Sequence, residues 1–324
     1  YTKLGFRLPK VSGFVGLRIA GEDRKGSLGG GLGDFFRSGS ELLTSASLRY
    51  APARGHELSL THSSSYTRPS YRDLLGYTSV ASAAFLRKGN SALRTAYRRG
   101  LSLNYTYMRA AQLELSYTDT EDPIVEAMPP MLGGALVLRR YNLDYSRTLR
   151  ALLVLPLPLV SQKKFSWLAL TILAAQRQWD AGRIETNDYS AALNTQFVQH
   201  RHSFSLPSDW TVDLGVTYYS GVLYELYRIQ RQWWVDASVS KRMGNLRATL
   251  SARDPFNTNI ARGSYNPEVN GLAFERNWHS PRLELTISYS WGKKSVKAQD
   301  TRARYDDLKR LTTGASEGMN TPAQ

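Results

Sequence analysis

The feature that most restricts this chain is strict alternation of apolar and polar residues, repeated from one end to the other. It is cleanest at residues 281–291, PRLELTISYSW, where Leu283, Leu285, Ile287, Tyr289 and Trp291 alternate with Arg282, Glu284, Thr286, Ser288 and Ser290. A period of two sustained this long is a β-strand with one apolar and one polar face. The pattern returns at Ala46, Leu48 and Tyr50, at Leu58 and Leu60, and at Leu101, Leu103, Tyr105 and Tyr107. Leu113, Leu115 and Tyr117 repeat it, as do Tyr141, Leu143 and Tyr145, Val212 to Tyr218, and Leu246, Ala248 and Leu250. The connections are alternately short (51–55, 108–112, 207–209, 241–245) and long (21–40, 64–94, 119–134, 254–280). About twelve strands result. A meander with tight turns at one end and long loops at the other predicts an all-β, transmembrane, antiparallel up-and-down barrel. A soluble two-sheet sandwich gives no reason for loop length to follow strand parity.

Composition removes the competing classes. Mean hydropathy is −0.39, and no apolar run approaches the roughly 20 residues of a membrane helix. The longest, 152–160 and 165–175, are short, and Pro156 and Pro158 interrupt the first. A membrane barrel stays compatible, since only alternate residues of its strands meet lipid. Cysteine is absent, which rules out a disulfide framework and a thiolate nucleophile. The net charge of +15 raises the question of nucleic acid, but the basic residues are scattered singly or as doublets such as Arg98-Arg99 and Lys163-Lys164. No basic tract forms the stripe that nucleic acid needs. The charge suits an arginine-lined pore, or contact with outer-membrane lipid and lipopolysaccharide. The chain opens at Tyr1 without an initiator Met or signal peptide, so it reads as mature, trimmed or part of something longer.

Inside hydrocarbon every backbone N–H and C=O must be paired, which a closed sheet achieves without an open edge. Tyr50, Tyr107, Tyr117, Tyr218, Tyr289 and Trp291, near strand ends, fit interfacial girdles. Residues 1–292 are read as barrel and 293–324 as a polar tail with a short helix around 302–311. The run Tyr227, Ile229, Trp233, Val235, Ala237 and Val239 shares one face of a single strand, with Arg231 and Trp234 out of step. Its polar face, Arg228, Gln230, Gln232 and Asp236, joined by Arg247 and Glu284, is the candidate lumen wall. Tyr265, Arg276 and Trp278 on the last long loop are candidates for ligand contact. In residues 189–206 the apolar parity moves from odd (Leu193, Phe197) to even (Phe204, Leu206), which predicts a β-bulge or an early strand end.

Other chemistry is sparse. The run Gly29-Gly30-Gly31-Leu32-Gly33 lacks the Lys-Ser/Thr pair of a phosphate loop. His200 and His202, two apart, share a strand face, but no carboxylate stands near in sequence to complete a metal site. No nucleophile, base and orienting group group together, so neither an enzyme nor a cofactor is expected.

One stretch carries a resemblance. YTRPSYRDLLGY at 66–77 and RKGNSALRTAY at 87–97, through Arg68, Pro69, Ser70, Tyr71, Leu74, Gly89, Asn90 and Leu93, resemble a segment of TonB-dependent-receptor-like barrels of Bacteroidota. GFVGLRIAGED at 13–23, SARDPFNTN at 251–259 and ELTISYSWGKK at 284–294 resemble other segments of that family in the same order. Gly76, Ser91 and Thr95-Ala96 stand near places where the family carries proline or Pro-Glu, so this is a divergent member. The resemblance implies an outer-membrane barrel of about 22 strands, of which this chain is the C-terminal portion. It also implies a plug and a TonB-contacting segment. Two functions follow. One is TonB-coupled import of a scarce ligand such as a metal chelate, oligosaccharide or peptide. The other is a structural or assembly role beside a surface lipoprotein or other outer-membrane subunits.

Overall fold

The computed structural model describes residues 1–26, 35–76, 78–82, 85–128, 136–265, 273–277 and 281–291. In chain order its strands are β1 (Thr2–Arg7), β2 (Val11–Gly26), β3 (Phe35–Tyr50) and β4 (His56–Thr67). The one-turn helix α1 (Tyr71–Leu74) follows, then β5 (Thr78–Ser82), β6 (Phe85–Lys88), β7 (Ala96–Tyr107), β8 (Ala111–Glu121), β9 (Ile124–Ala127) and β10 (Leu136–Asn142). Next come β11 (Tyr145–Ser161), β12 (Ser166–Ile184), β13 (Asn187–Leu206), β14 (Trp210–Tyr219), β15 (Val222–Tyr224) and β16 (Tyr227–Ile229). The last are β17 (Gln232–Met243), β18 (Leu246–Arg253), β19 (Ile260–Tyr265), β20 (Ala273–Asn277) and β21 (Arg282–Tyr289).

Thirteen of these form one antiparallel up-and-down sheet in the order β1-β2-β3-β4-β7-β8-β11-β12-β13-β14-β17-β18-β21. The expected meander is present, with one strand more than the alternation reveals. That strand is β1, six exposed residues whose apolar face holds only Leu4 and Phe6. The sheet is not closed, because β1 and β21 each pair on one side only. The remaining strands build two four-stranded sheets, β5-β6-β10-β9 and β15-β16-β19-β20, at the end where the long connections lie. The long connections therefore carry strands of their own. Between β12 and β13 there is no polar loop over 180–188. The two strands stay paired to Ile184 and Asn187 and reverse at Glu185, whose φ is +55°.

Register places the apolar residues side by side. Leu60, Leu103 and Leu115 are consecutive partners across β4, β7 and β8 and are 42%, 38% and 45% exposed. Across β18 and β21, Leu250 faces Leu285 and Ala248 faces Ile287. An exposed aliphatic band running across many strands far exceeds the apolar patch of an ordinary soluble surface. The opposite face is polar, except for one island. Leu152, Val154, Ile172, Ala174 and Phe197 pack together there, buried, with Leu170 and Tyr219 against them. This island explains the parity change in β13. Its register with β12 and β14 is unbroken, so the expected bulge is absent. Phe197 is apolar on the inner face and Phe204 on the outer. The irregularity in this part of the sheet lies instead in β11, between Pro158 and Val160.

The family-like segment folds as a tight knot under the loop-end sheets. Ser70 caps α1, accepting from the Asp73 N–H at 3.2 Å. Leu74 and Leu93 are fully buried against Leu75 and Ile124. The Asn90 side chain donates to the Arg140 carbonyl at 2.8 Å and accepts from the Ala92 N–H at 3.1 Å. Arg68 pairs with Glu22 on β2. At Gly89 a Cβ would stand 1.6 Å from the Leu75 carbonyl oxygen, so no side chain fits. Gly89→Ala is therefore expected to destabilise the loop end by about 2 kcal/mol or more. Gly39→Ala, where a Cβ meets nothing within 4 Å, serves as control. Protease resistance of the loop-end sheets is the readout, and equal resistance of the two variants would contradict the packing.

Candidate functional site

The inner face of β13, β14, β17, β18 and β21 is a registered polar wall. Reading across it, Arg201 faces Gly215, Gly215 faces Asp236, Asp236 faces Arg253 and Arg253 faces Arg282. The next row toward the turns is Ser203, Asp213, Ser238, Ser251 and Glu284, and the one below it is Ser205, Thr211, Ser240, Thr249 and Thr286. Period-two alternation creates this arrangement, since every residue opposite the lipid-type face must point here.

The charged row lines a concavity of about 900 Å³, with Trp234 at its edge. Trp234 stacks on Tyr219, ring centroids 5.8 Å apart. Ser238 Oγ donates to Asp213 at 3.1 Å, and Asp236 accepts from the Asp254 N–H at 3.2 Å. The Asp254 carboxylate in turn receives the Thr258 and Asn259 N–H groups at 2.8 and 3.0 Å, holding the chain as it leaves β18. Arg201 and Arg253 have no ion-pair partner among the described residues. A second concavity, of about 460 Å³, lies over β4, β7, β8, β11 and β12. It is floored by Ser63, Ser102, Ser116 and Thr148 and contains Arg98, Glu114 and Arg150. Arg150 keeps its Nε and one Nη enclosed and unbonded. Such a surface offers hydroxyls, guanidinium donors and a few carboxylates to a polar solute. Among the described residues no three His, Asp or Glu side chains converge as metal donors.

The wall includes only part of the set expected from sequence. Gln232, Asp236, Arg247 and Glu284 lie on the inner face. Arg247 faces Arg242 near the turn end, well below Asp236, while Glu284 is paired with Arg282 at 3.1 Å. Arg228 and Gln230 are not on the wall. The run from 227 to 239 is two strands. Arg228 belongs to β16, opposite Leu223 and Ser264, and the Gln230 N–H donates to the Arg262 carbonyl at 2.7 Å. Arg276 is exposed on β20. Trp278 lies outside the described residues, as do the tail 293–324 and the glycine run 29–33. Arg201, Asp213, Arg253, Arg282 and Trp234 were hidden from sequence reasoning. Strand parity marks them as inward, but only register brings them together on one part of the wall.

Tyr265 sits in the core of the cap made by the loop-end sheets. It is fully buried, and its hydroxyl accepts from the Met128 N–H at 2.9 Å. Around it pack Val125, Ala127, Tyr141 and Leu143 from the β8–β11 connection, Leu226 from the β14–β17 connection, and Ile184 and Tyr189 from the loop-end tips of β12 and β13. Burial pushes the Tyr265 and Tyr227 phenols up. Glu225, in the turn between β15 and β16, accepts from the Glu126 N–H at 2.9 Å and so joins the two small sheets. Burial pushes its carboxyl above the usual carboxylate range, with Arg140 opposing.

These two layers, a strand wall with an apolar outside and a wet inside beneath a folded cap, define a membrane β-barrel wall. Comparison with known proteins agrees. Residues 1–289 match the Outer membrane protein beta-barrel family, and the chain belongs to it. It is an outer-membrane protein that crosses with strands. No curated protein matches. Among solved structures, the ferric enterobactin receptor PfeA in complex with BCV-L6 is similar at TM-score 0.54 and 13% identity, over 88% of this chain and 44% of that one. A mutant of the Pseudomonas aeruginosa receptor in complex with enterobactin gives 0.52 and 14%, over 86% and 43%. A further mutant of the same receptor gives 0.55 and 14%, over 88% and 43%. At such identity the likeness is one of fold, and this chain spans less than half the length of those receptors.

Two expectations test the cap. Tyr265→Phe removes the hydrogen bond between the Met128 N–H and the Tyr265 hydroxyl and should cost about 1 kcal/mol of cap stability. Because the Glu225 pKa is raised by folding, its contribution is full below the ordinary carboxylate range and falls as pH rises through the raised value. Amide exchange in β9 and in the β15–β16 turn, corrected for intrinsic rates, should accelerate over that window. Glu225→Gln should flatten the profile, and a wild-type profile already flat would contradict the burial.

Proposed function

We propose that this chain forms part of the wall of an outer-membrane importer of the TonB-dependent receptor type, which takes up a polar solute through a barrel gated by a lumen-filling segment. The carrying observation is the charged row Arg201, Asp236, Arg253 and Arg282, set in hydroxyl-rich rows on the inner face and roofed by a folded cap. A wall that only had to seal the membrane would have no use for the guanidiniums of Arg201 and Arg253, which lack an ion-pair partner among the described residues, over a concavity.

The topology supports a larger barrel. All neighbours in the long sheet are antiparallel, so β1 and β21, first and thirteenth, run the same way. Antiparallel closure then needs an odd number of additional strands, and open edges in hydrocarbon would leave backbone groups unpaired. The fold likeness to receptors of about twice this length fits that requirement. In this reading TonB acts on the gating segment and the cap controls entry from outside. The wall's work is binding and passage, not catalysis.

Deletion of the gene, followed by growth on limiting ferric siderophore, oligosaccharide or peptide, tests the proposal. One of these substrates should fail to support growth. The Arg201→Ala/Arg253→Ala protein should restore uptake roughly tenfold less well than wild type, as expected for two lost charge-assisted contacts. Normal growth on all three, with a stoichiometric outer-membrane partner that copurifies without substrate, would favour the structural role instead.

A further inference from the structure

The outward band is aliphatic across most of its width, with an aromatic and polar cluster near its turn end. Trp167 on β12 faces Phe204 on β13 in register, Ala169 faces His202, and Thr171 faces His200. On the other side His202 faces Leu214 and His200 faces Val216, residues 43% and 44% exposed on the outer face. The four rings form one group. Trp167 lies 5.6 Å from both Phe204 and His202, and His200 meets His202 edge-on at 4.4 Å. Ala169 beneath them is 2% exposed.

The hydrogen bonds fix what this group presents. Trp167 Nε1 donates to His202 Nδ1 at 2.9 Å. An indole N–H only donates, so Nδ1 offers its lone pair and the ring proton sits on Nε2. Protonating Nδ1 would set two N–H groups against each other. The ring donor that remains is therefore the Nε2–H of His202. His200 Nδ1 is bonded to Thr171 Oγ1 at 2.8 Å. Neither Nε2 is enclosed by protein, and neither has a partner among the described residues. A donor aimed outward with no acceptor is costly in lipid.

Depth selects the acceptor. Trp167 is the second residue of β12, directly above the turn. Two residues along a tilted strand climb about 5 Å. His202 therefore stands about 5 Å, and His200 about 10 Å, above the tryptophan. Tryptophan marks the lipid–water boundary, so His202 lies where the glycerol esters of a phospholipid lie. Ester carbonyls accept hydrogen bonds and cannot donate, which complements an N–H. The outward neighbours Leu157, Leu214 and Val216 are aliphatic and carry no group that a docked protein surface would pair with.

We propose that Trp167, His202 and His200 form a binding notch for a phospholipid of the turn-side leaflet. The His202 Nε2–H donates to a glycerol-ester carbonyl, and Phe204 and Leu214 flank the start of the acyl chain.

The intact protein is placed in nanodiscs of ester-linked phosphatidylethanolamine and phosphatidylglycerol, and in nanodiscs of the ether-linked counterparts, which lack the carbonyl. Native mass spectrometry after extraction counts the lipid retained. Wild type should hold one lipid about five- to tenfold more persistently in the ester series, the effect of one hydrogen bond in a dry site. His202→Phe should hold ester and ether lipids alike at the lower level, and His202→Gln, which keeps an N–H donor, should recover most of the difference. Equal retention of ester and ether lipids by wild type would overturn the assignment, and that comparison needs no variant to fold. So would a protein subunit that cross-links at this cluster in stoichiometric amount whichever lipid is present.

Discussion

A peptide group in hydrocarbon has no water to turn to, and most of this structure follows from that single shortage. Each inner strand of the long sheet satisfies its N–H and C=O groups on both neighbours, and an edge left open in hydrocarbon would leave such groups unpaired. Once the backbone is committed to strands, side chains can only alternate, and one set must dissolve in lipid while the other faces water. The aliphatic rows along β4, β7 and β8 and the serine, threonine and charged rows along β14, β17 and β18 are two consequences of one ladder. Neither face needs the other for packing. This explains why so few residues of the spanning strands are fully buried.

The buried apolar residues are found mostly elsewhere. Of the largest fully enclosed side chains, Tyr265, Leu74, Leu93, Leu143 and Leu226 belong to the connections at the loop end, and only Ile172 and Val154 to the wall. A segment standing in water must build a core of its own, and here three connections and the tips of β12 and β13 pool their apolar residues to do so. The price is buried polar groups. Tyr141 and Tyr189 are enclosed with Asp180 nearby, and Glu225 is held under the β9 strand. The Tyr141 hydroxyl reaches Glu185 at 2.7 Å, which ties the reversal of the β12–β13 hairpin to this core. Projecting strands and folded connections thus share one packed core.

Alternation is a local signal, and what it encodes was legible without coordinates. The sheet, its antiparallel order and the outward residues of β7, β8, β18 and β21 were all visible in the sequence. Pairing between distant connections is not local. Nothing near Tyr265 announces Met128, 137 residues away, so a residue that resembled a ligand contact is a core residue. The same limit split the candidate wall. Arg228 and Asp236 share a parity, but two residues of irregular backbone between β16 and β17 send the first into the cap. The family-like segment is the intermediate case. Arg68, Ser70, Gly89 and Asn90 were visible as a pattern, and only the fold shows that a cap, a tight approach and two backbone bonds require those residue types.

The apolar island on the inner face bears on how the wall is used. Leu152, Val154, Ile172, Ala174 and Phe197 lie between the concavity that holds Arg150 and the one that holds Arg201. A continuous polar surface would let water and a bound solute spread across the wall. An island spread over β11, β12 and β13, roughly 10 Å between its outer strands at the usual strand spacing, lies between the two polar regions. The guanidiniums on either side are then not alternative seats for one group. Under the import proposal, a solute moving from Arg201 to Arg150 would lose its partners before it gained new ones.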